Sequence, residues 1–178
     1  MQYAAFLRAI NVGRHNRVKM EDLRALCSSI GFVNVSTYLQ TGNIAFDAGD
    51  SADVAAVRLE EALAGIGLQN AAVVVRTPEQ LIELLQGDPF AAHDPALFGR
   101  LVTLFRSPLP SNAELVLPAG SFALVDVRPR EVLTVVELGR NGTLDLNGFL
   151  ERKLKVQGTT RNWNVVAEFV ARNSTPSP

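Results

Sequence analysis

Val35-Ser36-Thr37-Tyr38-Leu39-Gln40-Thr41-Gly42-Asn43-Ile44-Ala45-Phe46-Asp47 reads as two short strands folded about a tight turn. Val35, Thr37 and Leu39 alternate with Ser36, Tyr38 and Gln40, which is the period of a half-buried strand. Thr41-Gly42 supplies the turn, and Ile44 to Asp47 returns as the next strand. Upstream, Met20, Leu23, Cys27 and Ile30 recur at helical spacing, with Gly31 as the stop. Before them Tyr3 to Ile10 is an apolar run, a strand that feeds a loop at Asn11-Val12-Gly13. Downstream, Asp50 or Ser51 caps a helix with the stripe Ala55, Leu59, Ala62, Leu63 and Ile66, and Ala72 to Arg76 is a further strand. The order is β-α-β-β-α-β, that of the ferredoxin-like unit.

The second half opens at Thr77-Pro78-Glu79-Gln80, a capping box with proline at the first helical position. That helix ends near Gly87, and Asp88-Pro89-Phe90 breaks the chain. Arg100 to Arg106 reads as a strand and Ser111 to Leu117 as a short helix. Phe122 to Val127 and Val132 to Leu138 form a hairpin around Arg128-Pro129-Arg130. Gly148 to Val156 is a basic helix. A last helix is expected from about Thr160 to Arg172, with Trp163, Val166, Ala167 and Val170 on one face. This half echoes the first as β-α-β-β-α, with one helix added before and one after. The expected fold is therefore α+β: a ferredoxin-like lobe over 1–76 and a second, degenerate one over 77–158. A C-terminal helix over 159–173 packs back, and 174–178 is a disordered tail.

The chain has 178 residues, 47% of them hydrophobic and 20% charged, with net charge −1. That length buries roughly 70% of the surface of the unfolded chain, so neither metal nor disulfide is needed for stability. Cys27 is the only cysteine, which rules out an internal disulfide and suits a reducing compartment. No run of about 18 apolar residues is present to span a bilayer, and the start has no basic n-region of a signal peptide. A cytoplasmic location is expected, with no membrane partner.

Charge is unevenly placed. Met1 to Lys19 carries Arg8, Arg14, Arg17 and Lys19 without an acid, and Asn147 to Asn164 carries Arg152, Lys153, Lys155 and Arg161 against Glu151 alone. Met20 to Leu146 has eight basic and sixteen acidic residues. In a ferredoxin-like order the first and third strands are neighbours. The loop after strand one and the turn between strands two and three then share one sheet edge. Arg8, Asn11 and Gly13 come beside Gln40, Gly42 and Asn43, with Lys19 just ahead of the first helix. Unpaired amides at a helix start, with cations beside them, favour an anion. A second helix start is expected at Thr159 or Thr160, with Arg161 in its first turn and Asn162 beside it. The competing reading is structural, since amides near turns often serve only backbone groups and Arg161 has many acids available as partners.

Other chemistry is missing. Two histidines and one cysteine make no ordinary structural zinc site, and there is no phosphate-binding loop of the Gly-x-x-x-x-Gly-Lys type or dinucleotide fingerprint. No nucleophile elbow or carboxylate pair is arranged for catalysis. No catalytic residue, metal or cofactor is assigned. Cys27 sits on an apolar helix face as an inert thiol. His15, between Arg14 and Arg17, is the one general-base candidate near the basic loop, with nothing to orient its ring. Trp163 heads an apolar stripe, which favours core packing over base stacking. The third strand lacks the first stacking aromatic of an RNA-recognition sheet.

Five motifs, taken in order, resemble the bacterial family DUF1697. They are Phe6-Leu7-Arg8-Ala9-Ile10-Asn11-Val12-Gly13; Val18-Lys19-Met20 with Leu23; Thr37-Tyr38-Leu39-Gln40-Thr41-Gly42-Asn43; Asp88-Pro89-Phe90; and Thr159-Thr160-Arg161-Asn162-Trp163-Asn164. The resemblance implies two ferredoxin-like lobes plus a terminal helix, and no activity. The chain departs from the family's pattern at Arg14, where a second glycine is common, at Thr41 for serine and at Val165 for threonine. The expected function is binding of a phosphate-bearing ligand, nucleotide or nucleic-acid backbone, at Arg8, Asn11, Gly13, Lys19, Gln40, Gly42, Asn43, Arg161 and Asn162. The alternatives are an enzyme acting on a phosphorylated small molecule and a structural or interaction module without a ligand.

Overall fold

The structure, a computed structural model, describes residues 1–11, 16–111, 114–139 and 144–173. Its chain divides into two compact units, Met1–Leu84 with the segment from Phe169, and Leu85–Glu168. The family of folds is mixed α+β, with one four-stranded antiparallel sheet in each unit and five helices among the described residues.

In the first unit β1 (Gln2–Leu7), α1 (Met20–Ser29), β2 (Val33–Tyr38), β3 (Asn43–Asp47), α2 (Ala52–Gly65) and β4 (Val73–Arg76) follow in the order read from the sequence. The sheet order is β2-β3-β1-β4, so β1 pairs with β3 as expected. Alternation divides β1 between two faces. Tyr3, Ala5 and Leu7 join Leu23, Cys27, Leu59 and Leu63 of the two helices in one core. Ala4 and Phe6 point the other way. There α3 (Pro78–Leu85) and the end of α5 (Trp163–Asn173) supply cover, with Phe169 edge-on to Phe6 at 5.6 Å and stacked on Tyr38 at 6.3 Å. The Thr77 capping box forms, its hydroxyl accepting from Gln80 N while Gln80 Oε1 accepts from Thr77 N.

The second unit holds β5 (Phe98–Phe105), β6 (Ala123–Val127), β7 (Glu131–Glu137), α4 (Leu146–Leu154) and β8 (Gly158–Asn162), with sheet order β6-β7-β5-β8. Leu146, Leu150 and Leu154 of α4 pack on Phe105 and Val132. Two expectations are corrected here. Glu114–Leu117, the described part of the predicted short helix, is irregular. Gly158–Asn162 is a strand paired with β5 rather than a helix start, and α5 begins at Trp163. The β-branched Thr159 and Thr160 suit that strand, and β5 offers a ladder the local sequence does not reveal. The expected tail 174–178 lies outside the described residues.

Candidate functional site

Asn11 organises the end of β1. Its backbone is left-handed (φ 54°), as are Ala9 (59°) and Asn16 (54°), and asparagine tolerates that region better than most residues. Its side-chain amide donates to Val18 O at 3.0 Å and Gln40 O at 2.8 Å, while Oδ1 accepts from Val18 N at 2.9 Å. One amide thereby ties the loop to the β2–β3 turn. Asn43 braces the β2–β3 turn from within. Fully buried, it donates to Tyr38 O and Thr41 Oγ1 at 3.0 and 3.1 Å. Both amides spend their two N–H groups inside the protein.

Gly42 lets the turn close. Its φ is +76°, its carbonyl accepts from Leu7 N at 2.8 Å, and an added Cβ would lie 2.6 Å from Ile10 Cδ1 and 2.8 Å from Leu7 Cβ. No side chain fits there.

The result is an open groove lined by Asn11, Arg17, Lys19, Asp22, Arg24 and Gln40, with Val18, Met20, Glu21 and Ile66 completing the wall. Of the residues expected to meet, Asn11, Lys19 and Gln40 line it, and Gly42 and Asn43 support the turn that presents Gln40. Arg8, half-buried, is not among the lining residues; its backbone N–H bonds to Ala72 O at 2.8 Å. Gly13, Arg14 and His15 lie outside the described residues.

Arg24 is the groove cation the sequence reading passed over. One helical turn beyond Met20, it lies on the same side of α1, and its Nη1 donates to Thr37 Oγ1 at 2.7 Å. That spacing was the available signal. The groove is less cationic than the loop alone promised, because Arg17, Lys19 and Arg24 face Glu21 and Asp22. These two acids occupy the first turn of α1, where no side chain caps the helix. They already offset part of the positive helix end. Lys19, whose side chain is 77% exposed, reaches Glu21 at 3.4 Å.

Arg161 and Asn162 belong to the second unit. Arg161 lies in β8 opposite Val102, not in a helical first turn. Its Nη1 donates to Thr159 Oγ1 at 2.7 Å and Thr160 O at 2.9 Å. The residue keeps some exposed surface, but burial of its charged end pushes its pKa down to about 10. Asn162 Oδ1 accepts from Asn164 N at 2.9 Å, turning the chain into α5, and Asn164 Oδ1 accepts from Arg100 at 2.8 Å. Trp163 is a core residue, edge-on to Phe90 at 5.0 Å, so the fourth and fifth motifs of the sequence meet.

Cys27 is fully buried, and desolvation pushes its thiol up to about 12. Among the described residues no three His, Cys, Asp or Glu side chains gather as a metal site, and no helix is long and apolar enough to cross a membrane.

The fold has a solved counterpart in the conserved bacterial protein SP0830 from Streptococcus pneumoniae. It has 21% identity and a TM-score of 0.67 over 98% of each chain. No curated protein matches the chain. The family pattern of DUF1697, a protein of unknown function, matches residues 1–121. That span covers the first four motifs and ends before the fifth. The chain belongs to the DUF1697 family.

Proposed function

We propose that this protein binds a phosphate-bearing ligand, a nucleotide or a nucleic-acid backbone, at the groove beside the start of α1. The observation that carries the reading is the convergence of Arg17, Lys19 and Arg24 with Asn11 and Gln40 around one open surface. Three cations there outnumber the carboxylates Glu21 and Asp22, in a chain whose net charge is −1. Cations on a mostly acidic body draw an anion to one place. Within this reading Arg8 and Lys19 neutralise charge and Gln40 orients the ligand, while Arg161 and Asn162, bonded within the second unit, are not among the residues that line the groove. Asn11, Gly42 and Asn43 act as scaffold, because their bonding capacity is turned inward. Gly13 stays in the proposed set on sequence grounds.

Each unit is assigned to the ferredoxin-like type on its strand order, the second as a degenerate copy, and the protein is placed in the cytoplasm on its single unpaired cysteine. Thermal-shift screening against nucleotides, short RNAs and phosphorylated metabolites at low ionic strength tests the proposal. Stabilisation by at least one of them, lost in Arg17→Ala/Lys19→Ala and weakened by salt, is the expected result. No stabilisation by any anion ends the reading.

A structural reading has its own support. The Thr159–Asn164 motif spends Thr159, Thr160, Arg161, Asn162 and Asn164 on bonds within the second unit. If Arg161→Ala lowers the melting temperature while ligand binding persists, that motif is a clasp and not part of the site.

A further inference from the structure

The core of the second unit contains a polar spot that the proposed ligand site does not use. On the sheet face under α4, Thr103 of β5 lies opposite Thr160 of β8, and the two hydroxyls are 2.9 Å apart. Thr160 Oγ1 also donates to Asn147 Oδ1, in the first turn of α4, at 3.2 Å. Thr134 of β7 pairs with Leu101, two residues before Thr103 on the same face of β5, so its side chain stands diagonal to Thr103. Thr103 and Thr134 are fully buried, and the neighbouring core is Leu146, Leu150, Phe105 and Val132.

Two polar atoms of this spot are buried without a protein partner, Thr134 Oγ1 and Asn147 Nδ2. Rotating the Asn147 amide would exchange its oxygen and nitrogen and still strand one of them. Leaving a buried donor or acceptor unpaired is costly enough that native proteins seldom tolerate it. A cluster of hydroxyls and an amide inside an apolar core is the setting in which internal water recurs, each molecule bonding about three such groups. We infer that a buried water molecule is an integral part of the second unit, held between α4 and the sheet by Thr134 Oγ1, Asn147 Nδ2 and the Thr103–Thr160 hydroxyl pair. It fastens the first turn of α4 to three strands at once.

Thr134→Val tests this by the sign of its effect. Valine keeps the shape but removes one of the water's anchors, so Tm is expected to fall by roughly 3 °C. If the hydroxyl is simply an orphan, the same substitution relieves an unpaired group and Tm rises or stays level, which overturns the inference. A crystal structure at about 1.5 Å resolution gives an independent reading. An ordered water within hydrogen-bond distance of both Thr134 Oγ1 and Asn147 Nδ2 is expected, and clean density without it refutes the proposal whatever the melting data show. Neither readout depends on ligand binding by the first unit.

Discussion

The two sheets are alike in hydrogen bonding and unlike in chemistry. In the first, Ala4 of β1 stands between Ala45 and Arg76; in the second, Val102 of β5 stands between Leu133 and Arg161. Leu7 N bonds to Gly42 O and Phe105 N to Arg130 O, while Arg8 N bonds to Ala72 O and Arg106 N to Gln157 O. Even the irregularity recurs, since β2 slips register between Val33 and Ser36 and β6 between Leu124 and Asp126. A bulge in each of these edge strands blunts its capacity to pair with another chain. Yet the counterpart of buried Asn43 is Glu131, and that of Gly42 is Arg130. What repeats is the ladder and the alternation of faces, which many side chains satisfy. What differs is the sheet edge, where the first unit builds a tight amide-tied turn and an open groove.

Cys27 provides the largest expected contrast, because it lies in the core of the first unit and has no counterpart in the second. With its thiol pushed up to about 12, thiolate at pH 8 is scarcer than in free cysteine by roughly three orders of magnitude. Alkylation of the native protein should be slower by at least about that factor, and should report opening of the first unit alone. Labelling near the free-thiol rate would show that this core opens readily. Because the folded thiol holds its proton while the unfolded one releases it, stability falls as pH rises from the unfolded value of 9.0 toward about 12.

The turn comes next. Gly42→Ala places a Cβ in contact with Leu7 and Ile10 at a left-handed φ, and should cost about 3 kcal/mol in urea unfolding. Gly120→Ala in the second unit has a similar φ of +74° and no atom within 4 Å of the new Cβ. It should cost only about 1 kcal/mol. Equal losses would mean that close approach of the turn to β1 does not matter.

Smaller effects separate the helices that follow the paired hairpins. Ser51 caps α2 by accepting from Val54 N at 3.4 Å, and Asp145 caps α4 by accepting from Gly148 N at 3.0 Å. Asp145→Ala should lose about 1 kcal/mol and Ser51→Ala about half of that; the reverse ranking would count against reading cap strength from these distances. Least affected is Lys19→Ala, which removes an exposed ion pair with Glu21 and should change stability by less than about 0.5 kcal/mol. The same variant should weaken anion binding several-fold, so a loss of fold stability instead would move Lys19 from the groove to the scaffold.

Much of the first unit was legible because its signals are local. Helical spacing at Leu23 and Cys27, and the Thr-Gly turn, needed no knowledge of distant neighbours. The second unit hid more. Gly158–Asn162 has no apolar alternation, so only its pairing with β5 makes it a strand, and the reading mistook Thr159 and Thr160 for a cap. Within the candidate site, Asn11, Lys19 and Gln40 were found from residue type and topology. Arg24 was missed because a mid-helix arginine resembles any solvated residue until the groove wall is seen. The inward bonding of Asn11 and Asn43 was anticipated only as a competing reading, since an amide's partners are set by loop geometry.

By itself the sequence determined the α+β class, the order of strands and helices in the first unit, the burial of Cys27 and the gathering of cations near its first loop. These follow from periodicity, turn chemistry and composition, which act over a few residues. Tertiary structure alone decided that β8 completes the second sheet, that Glu21 and Asp22 share the groove with its cations, and that Asn43 and Arg161 serve nearby backbone groups. The first depends on a ladder between segments far apart in the chain. The others depend on the backbone path of each loop and strand, which sets the partners a side chain can reach even a few residues away.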